Sequence, residues 1–324
     1  MRESGGKSEQ HHRAATTATI VISFALVYFF WGSTYTAISI GVEDLPPLLM
    51  GGVRFLASGA LLLLYCWWRG LKIFWPPRMM VVMGIVGVLL LGGGNVGLIY
   101  AEKTVPSGFS SLVIAVVPLY VALMEMLLPG GEPLPRRGWL GMAMGLASLT
   151  VLLWPSIHVG LEGNTTMLLA LAALLGCALS WAAGSVYARR KRLAVNSFVQ
   201  ASWQMLIAGA VNLLCGTLLG EWPGFHMTHR AAGAIAWLVT GGSLIGYSAY
   251  IYLLEHVPVA KVASYAYVNP VVAVLLGMVV LGERPDPIEF VGMAGIIVAV
   301  YLLTTARVRK KAPSVEEMQQ LPAE

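Results

Sequence analysis

Long apolar runs separated by short polar gaps fill this chain almost from end to end. Ten windows can be drawn: Thr17 to Ile40, Leu48 to Trp68, Met79 to Ala101, Ser107 to Leu128, Trp139 to Trp154, Thr166 to Tyr187, Phe198 to Leu219, Ala231 to Leu254, Ala260 to Leu281 and Ile288 to Thr305. A bilayer-spanning helix needs about 20 mostly apolar residues, so the pattern predicts an all-α integral membrane protein of ten transmembrane helices. The polar leader Met1 to Ala15 is too long for a signal peptide, and no small-residue cleavage site follows a short apolar core, so the first run is expected to remain as a span.

The pattern also repeats. Shifted by 150 positions, Trp31 falls on Trp181, Leu56 on Leu206, Gly59 on Gly209 and Ala60 on Ala210. With the shift at 152, Val105-Pro106 meets Val257-Pro258, Pro118 meets Pro270, Gly130 meets Gly282, and Pro133 and Pro135 meet Pro285 and Pro287. Apolar identities are cheap in an oily sequence; prolines matched at three places are not. Five spans per half is an odd number, so the second half enters the membrane from the opposite side. Inverted five-helix repeats around a central cavity are a recurring architecture of secondary transporters. The expected division is a cytoplasmic leader at 1–16, a first repeat at 17–154, an outer connection at 155–165, a second repeat at 166–306 and a cytoplasmic tail at 307–324.

Composition agrees with the class. Apolar residues make up 57% of the chain, charged residues 11%, and the mean hydropathy is +0.73, whereas soluble domains carry about 25% charged residues. The formal charge of +5 is a matter of topology. With the N-terminus inside, seventeen of the twenty-one Lys and Arg fall in cytoplasmic segments, as membrane insertion favours. Nucleic acid need not be invoked. Cys66, Cys177 and Cys215 all lie in apolar windows and read as packing groups.

Chemistry is carried by polar groups inside the spans. Tyr28, Trp31 and Tyr35 share one helical face, while Ser33, Thr34 and Thr36 can bond back to carbonyls one turn earlier. Asn95, Trp181, Gln204, Tyr247, Tyr265, Tyr267 and Asn269 add aromatic and amide groups from several other spans. Together with Trp31 and Tyr35 they suggest a shared cavity of aromatic faces and neutral hydrogen-bonding groups. Pro118 and Pro270, each near the middle of its span, remove a backbone donor and are candidate hinges or cavity walls. Arg54 lies about 10 Å inside its span at 1.5 Å per residue. It can receive a substrate carboxylate, tie helix ends together or snorkel outward. Glu125 lies near a span end; Glu102, Glu255 and His256 fall at membrane edges.

Several signals are missing. "GGGNVG" lacks the Lys-Ser/Thr of a phosphate loop, no metal-ligand spacing or cofactor motif appears, and no cluster of cations at cavity depth awaits a phosphate. A lipid-modifying membrane enzyme would need an acid–base or metal constellation at the interface, and none is visible. A sensor or assembly protein would need a large loop or output domain.

"WGSTY" (Trp31 to Tyr35), "PPLLMGGVRF" (Pro46 to Phe55), "VPSG" with Pro118 downstream, and "SYAYVNPVVAVLLGMVVLGE" (Ser264 to Glu283) resemble signature stretches of the EamA-type branch of the drug/metabolite transporter superfamily. The resemblance runs from Thr17 to Thr305 and looks closest to bacterial inner-membrane exporters of amino acids and metabolites. It implies a ten-helix inverted-repeat carrier with cytoplasmic termini and a substrate that is a small metabolite, amino acids first, with amphipathic drugs as the alternative. Arg54 matches the family's recurring "RF" and Lys261 a frequently basic position. The expected partners are the lipid bilayer and a small-molecule substrate; proton exchange and the substrate's own gradient both remain open as driving forces.

Overall fold

The computed structural model describes residues 17–103, 107–129, 131, 134–152, 165–276, 278–279 and 287–305. The leader, most of the expected outer connection, the C-terminal tail, Val105-Pro106 and the stretch holding Glu283 and Pro285 lie outside them. The described residues contain helices and no strand.

Twelve helices follow in order: α1 Thr17–Gly41, α2 Pro47–Trp68, α3 Pro77–Glu102, α4 Ser107–Ile114, α5 Val117–Leu127, α6 Arg136–Leu152, α7 Thr165–Lys191, α8 Ser197–Leu218, α9 His229–His256, α10 Val259–Val262, α11 Tyr265–Leu276 and α12 Pro287–Thr305. Six of them, α1, α2, α3, α7, α8 and α9, are long and apolar enough to cross a membrane. Their ends follow from sequence. Prolines open α2 and α3, where a missing amide costs nothing. Asn196 caps α8 and Thr228 caps α9 through side-chain oxygens that accept from Phe198 and Ala231 amides at 3.0 and 3.1 Å. Gly70 and Gly220 take φ of +70° and +72° after α2 and α8, a left-handed turn that favours glycine. Leu71 and Glu221 then donate back to Cys66 and Gly216 at 3.0 and 2.9 Å, the same closure 150 positions apart.

Two expected spans are interrupted. The run at 107–128 breaks between α4 and α5 at Ala115 and Val116, just ahead of Pro118. Pro118 has no amide to offer the Ile114 carbonyl, and it sits second in α5, where none is needed. The run at 260–281 breaks earlier than its proline: α10 ends at Val262, and Pro270 stays inside α11. At that joint Ala266 and Tyr267 amides bond three residues back, to Ala263 and Ser264, at 3.1 Å.

The middles of α3 and α9 widen. Val88–Val96 and Leu238–Tyr247 adopt π-helical turns, in stretches rich in glycine (Gly92 to Gly94, Gly241 and Gly242). Such wide turns concentrate at functional sites.

Lipid supplies no hydrophobic drive between helices, so small residues that allow close backbone approach carry the packing. The α2–α8 pair is antiparallel and nearly backbone to backbone. A Cβ on Gly59 would stand 2.8 Å from the Leu206 amide nitrogen, and one on Gly209 would stand 2.7 Å from that of Leu56. Gly141 of α6 meets Ala299 of α12 as closely, 3.0 Å from its carbonyl oxygen. The Gly59 and Gly209 contacts cannot accept a methyl without separating the helices. Gly59→Ala and Gly209→Ala should each cost about 1–3 kcal/mol by overpacking and lower the thermal midpoint of the detergent-solubilised protein. Gly176→Ala, with nothing within 4 Å of the new atom, should leave it unchanged.

Candidate functional site

A cavity of about 600 Å³, counting its open mouth, lies where α1, α2, α3, α7, α9 and α11 converge. α1 contributes Trp31, Thr34 and Tyr35; α2 contributes Arg54 and Phe55. The wide turn of α3 presents Leu91, Gly94 and Asn95, and that of α9 presents Gly242, Ser243 and Tyr247. Cys177 and Trp181 come from α7, Tyr265 and Asn269 from α11. Ile114 and Val117, on either side of the break before Pro118, also line it.

One wall is a cluster of rings. The Trp31 indole meets Trp181 edge to face at 5.3 Å and Tyr265 edge to face at 4.8 Å, and lies tilted against Tyr250 at 4.8 Å. Edge-to-face geometry is the favoured arrangement of aromatic quadrupoles. Hydrogen bonds fix the rings. Trp31 Nε1 donates to the Gly242 carbonyl at 3.0 Å, and Trp181 Nε1 donates to the Tyr250 hydroxyl at 3.0 Å. Ser185 Oγ lies 2.6 Å from that same hydroxyl. Glycines make room: a Cβ on Gly246 would fall 2.7 Å from Trp31 Nε1, and one on Gly94 would fall 2.8 Å from the Trp181 ring.

Beside the rings the lining is polar. Arg54 is 3% exposed. Its Nε donates to Ser243 Oγ at 3.0 Å and its Nη1 to Asn95 Oδ1 at 3.4 Å, while the guanidinium lies over the Phe55 ring at 4.8 Å. Among the described residues no carboxylate pairs with it. Asn269 Oδ1 is likewise buried without a donor among the described residues. A buried cation with only neutral partners, and a buried acceptor with none, both face the same space.

Eight of the ten cavity residues expected from sequence come together here: Trp31, Tyr35, Arg54, Asn95, Trp181, Tyr247, Tyr265 and Asn269. Gln204 stands behind the wall, its Oε1 accepting from the Tyr247 hydroxyl at 2.7 Å. Tyr267 is fully buried elsewhere, its ring 3.0 Å from a Cβ built on Gly145 of α6. Tyr250 looks in sequence like a membrane-interface residue, yet it joins the ring cluster; its spacing of three from Tyr247 was the available signal. Thr34 both lines the cavity and donates to the Trp31 carbonyl at 2.7 Å. Ser33 donates to Phe30 at 2.7 Å and accepts from Trp237 Nε1 at 3.0 Å, a packing role. Glu125, placed by sequence near a span end, is buried and pairs with Arg190 at 3.6 Å.

The sequence profile of the EamA-like transporter family matches residues 18–154 and, a second time, residues 168–305. The chain belongs to the EamA-like transporter family. It is a membrane transporter of that family. The uncharacterized inner membrane transporter YedA of Escherichia coli (strain K12) is 41% identical over 286 residues, covering 88% of this chain and 90% of YedA. An uncharacterized transporter of Synechocystis is 25% identical over 300 residues, covering 85% and 87%. A protein of known crystal structure superposes with a TM-score of 0.74 at 24% identity, covering 89% of this chain and 97% of that one, so the two chains share a fold.

The Tyr250 hydroxyl accepts from Trp181 Nε1 and pairs with Ser185 Oγ, which itself donates to the Trp181 carbonyl. Loss of the phenol oxygen therefore leaves the buried indole N–H unpaired. Tyr250→Phe should destabilise the protein by about 1–3 kcal/mol. It should also shift tryptophan emission, read by thermal melts and fluorescence of the purified protein.

Proposed function

We propose that this protein is a secondary carrier of the inner membrane that exports small amphipathic metabolites, amino acids first, by alternating access. It does so as ten spans in two inverted five-helix repeats, divided at residues 17–154 and 166–306. What supports the repeat is the doubled family match and contacts that recur under the same shift of 150. Gly59 against Leu206 mirrors Gly209 against Leu56. Trp31 and Trp181, the repeat counterparts, meet each other at the cavity. Two similar halves of opposite orientation can exchange conformations, and that exchange opens one cavity to either side in turn. The joints before Pro118 and ahead of Pro270 are the hinges in this reading. The inner-membrane placement rests on the likeness to YedA.

One observation carries the substrate class: Arg54, buried and without a carboxylate among the described residues, faces a cavity whose other wall is aromatic. A carboxylate completes Arg54 by charge-assisted hydrogen bonds. Asn269 Oδ1 and the ring faces of Trp31 and Tyr265 suit an ammonium group and an apolar side chain. The same rings tolerate many shapes, which favours a second reading, export of varied amphipathic compounds.

Counterflow in proteoliposomes separates them. Labelled aromatic, hydroxylated and sulfur-containing amino acids are each compared with the amine lacking the carboxyl group. Loss of a charge-assisted hydrogen bond is worth about 1.5–3 kcal/mol, so amino acids should exchange at least about tenfold better than their amines. Arg54→Gln should abolish that preference. Equal exchange of amine and amino acid would remove Arg54 as the carboxylate reader and leave the broad amphipathic reading standing.

A further inference from the structure

Glu102 is the last residue of α3, where the sequence places a carboxylate at the membrane edge. In the fold both its carboxyl oxygens are buried, and among the described residues neither meets a hydrogen-bond donor. Glu255, at the corresponding end of α9, shows the contrast. Ser197 Oγ and Gln200 Nε2 each donate to one of its oxygens, and Arg189 Nη1 donates to its backbone carbonyl at 2.7 Å. The two acids hold matching places, Glu102 just ahead of Val105-Pro106 and Glu255 just ahead of Val257-Pro258. Shifted back by 150, Ser197 and Gln200 become Pro47 and Met50, whose side chains have no hydrogen to donate. Two donors beside Glu255 thus correspond in sequence to two non-donors in the first half.

An ionised carboxylate in apolar surroundings without a partner is among the costliest groups a protein can hold. The missing partner is a cation that fits a closed site. Metal cations of the hard class take several oxygen ligands, and no group of three His, Cys, Asp or Glu side chains assembles among the described residues. A proton needs one oxygen.

The surroundings contain little else that titrates. α1, which packs against the end of α3, carries only Tyr28 and Tyr35 as titratable groups. α7 runs antiparallel to α3, with Gly94 against Trp181 and Gly97 against Cys177, so its level with Glu102 falls in the apolar run of residues 171–174. α4 has no titratable or charged residue, and the first such residue of α2 is Arg54, engaged by Ser243 and Asn95. On α3 itself, Tyr100 is turned to Glu221 and Lys103 is exposed. Leu98, one helical turn before Glu102 on the same face, lines the cavity, which puts the carboxyl group one turn from the cavity wall.

We propose that Glu102 is a proton-carrying carboxyl that couples substrate movement through the cavity to proton movement the opposite way, an inference that rests on the carrier function above. On one face of the membrane the carboxylate takes a proton from water. On the other it releases that proton as the carrier turns, and only an O–H bond is made and broken.

The test uses the full chain in proteoliposomes containing a pH-reporting dye, with the amino acid that gives the strongest counterflow as the probe. Under an imposed pH difference the wild type should accumulate the probe, up to about tenfold per pH unit for one proton exchanged per molecule, and the dye should report a matching proton flux. Glu102→Gln should keep counterflow at equal pH and lose both responses, while Glu102→Asp should retain them in part. A Gln variant that still accumulates probe under a pH difference overturns the inference. So does a wild type whose counterflow is sound but indifferent to pH, a result that needs no variant to fold. So does accumulation that follows a sodium gradient instead. Absence of wild-type counterflow under every condition would remove the carrier reading itself, and the inference with it.

Discussion

Within hydrocarbon, helices gain nothing by hiding apolar surface from lipid, and no water is at hand to satisfy a stray backbone group. Contact between backbones is then the strongest restraint available, and here it is concentrated in the α2–α8 pair. Gly59 and Gly209 let the two helices meet main chain to main chain. That seat sets the depth of Arg54 on α2 and of Gln204 on α8. Gln204 in turn receives the Tyr247 hydroxyl, and Arg54 reaches Ser243 and Asn95 on the widened turns of α9 and α3. The polar wall of the cavity is thus an outgrowth of one glycine-mediated contact.

The division of labour between the two walls has an energetic logic. Aromatic rings in edge-to-face and tilted contact, with both indoles pinned by hydrogen bonds, form a surface that resists collapse while exposing π faces. Beside them, neutral amide and hydroxyl groups hold the guanidinium without cancelling its charge. A buried Arg–carboxylate pair would have been self-sufficient. A buried Arg among neutral groups is not, and the imbalance is directed at the cavity beside it.

Much of this was legible in the sequence, for reasons that can be named. Residue type alone marked Trp31, Tyr35, Arg54 and Trp181, because such groups seldom occur at membrane depth without a partner or a cavity. The spacing of Tyr265 and Asn269, one helical turn apart, put both on one face. By the same rule Tyr267, two positions from Tyr265, points some 200° away at 3.6 residues per turn, and the fold sends it against Gly145. Tyr250 was concealed by its distance from the middle of its window. Hydropathy locates a residue along a helix but says nothing about its neighbours, so the burial of the Glu102 and Glu125 carboxyl groups was not legible. The widened turns of α3 and α9 were hidden as well. Glycine-rich stretches permit them, yet only packing against Trp31 and Trp181 requires them.

The meeting of Trp31 and Trp181 has a consequence of another kind. Two indoles held 5.3 Å apart at 86° are close enough to share electronic excitation, and the strength of that sharing falls steeply with separation. One indole is borne by α1 and the other by α7, so the pair is an optical gauge built into the chain. A state that parts those two helices removes the coupled contribution of this pair from the aromatic dichroism, with no label attached.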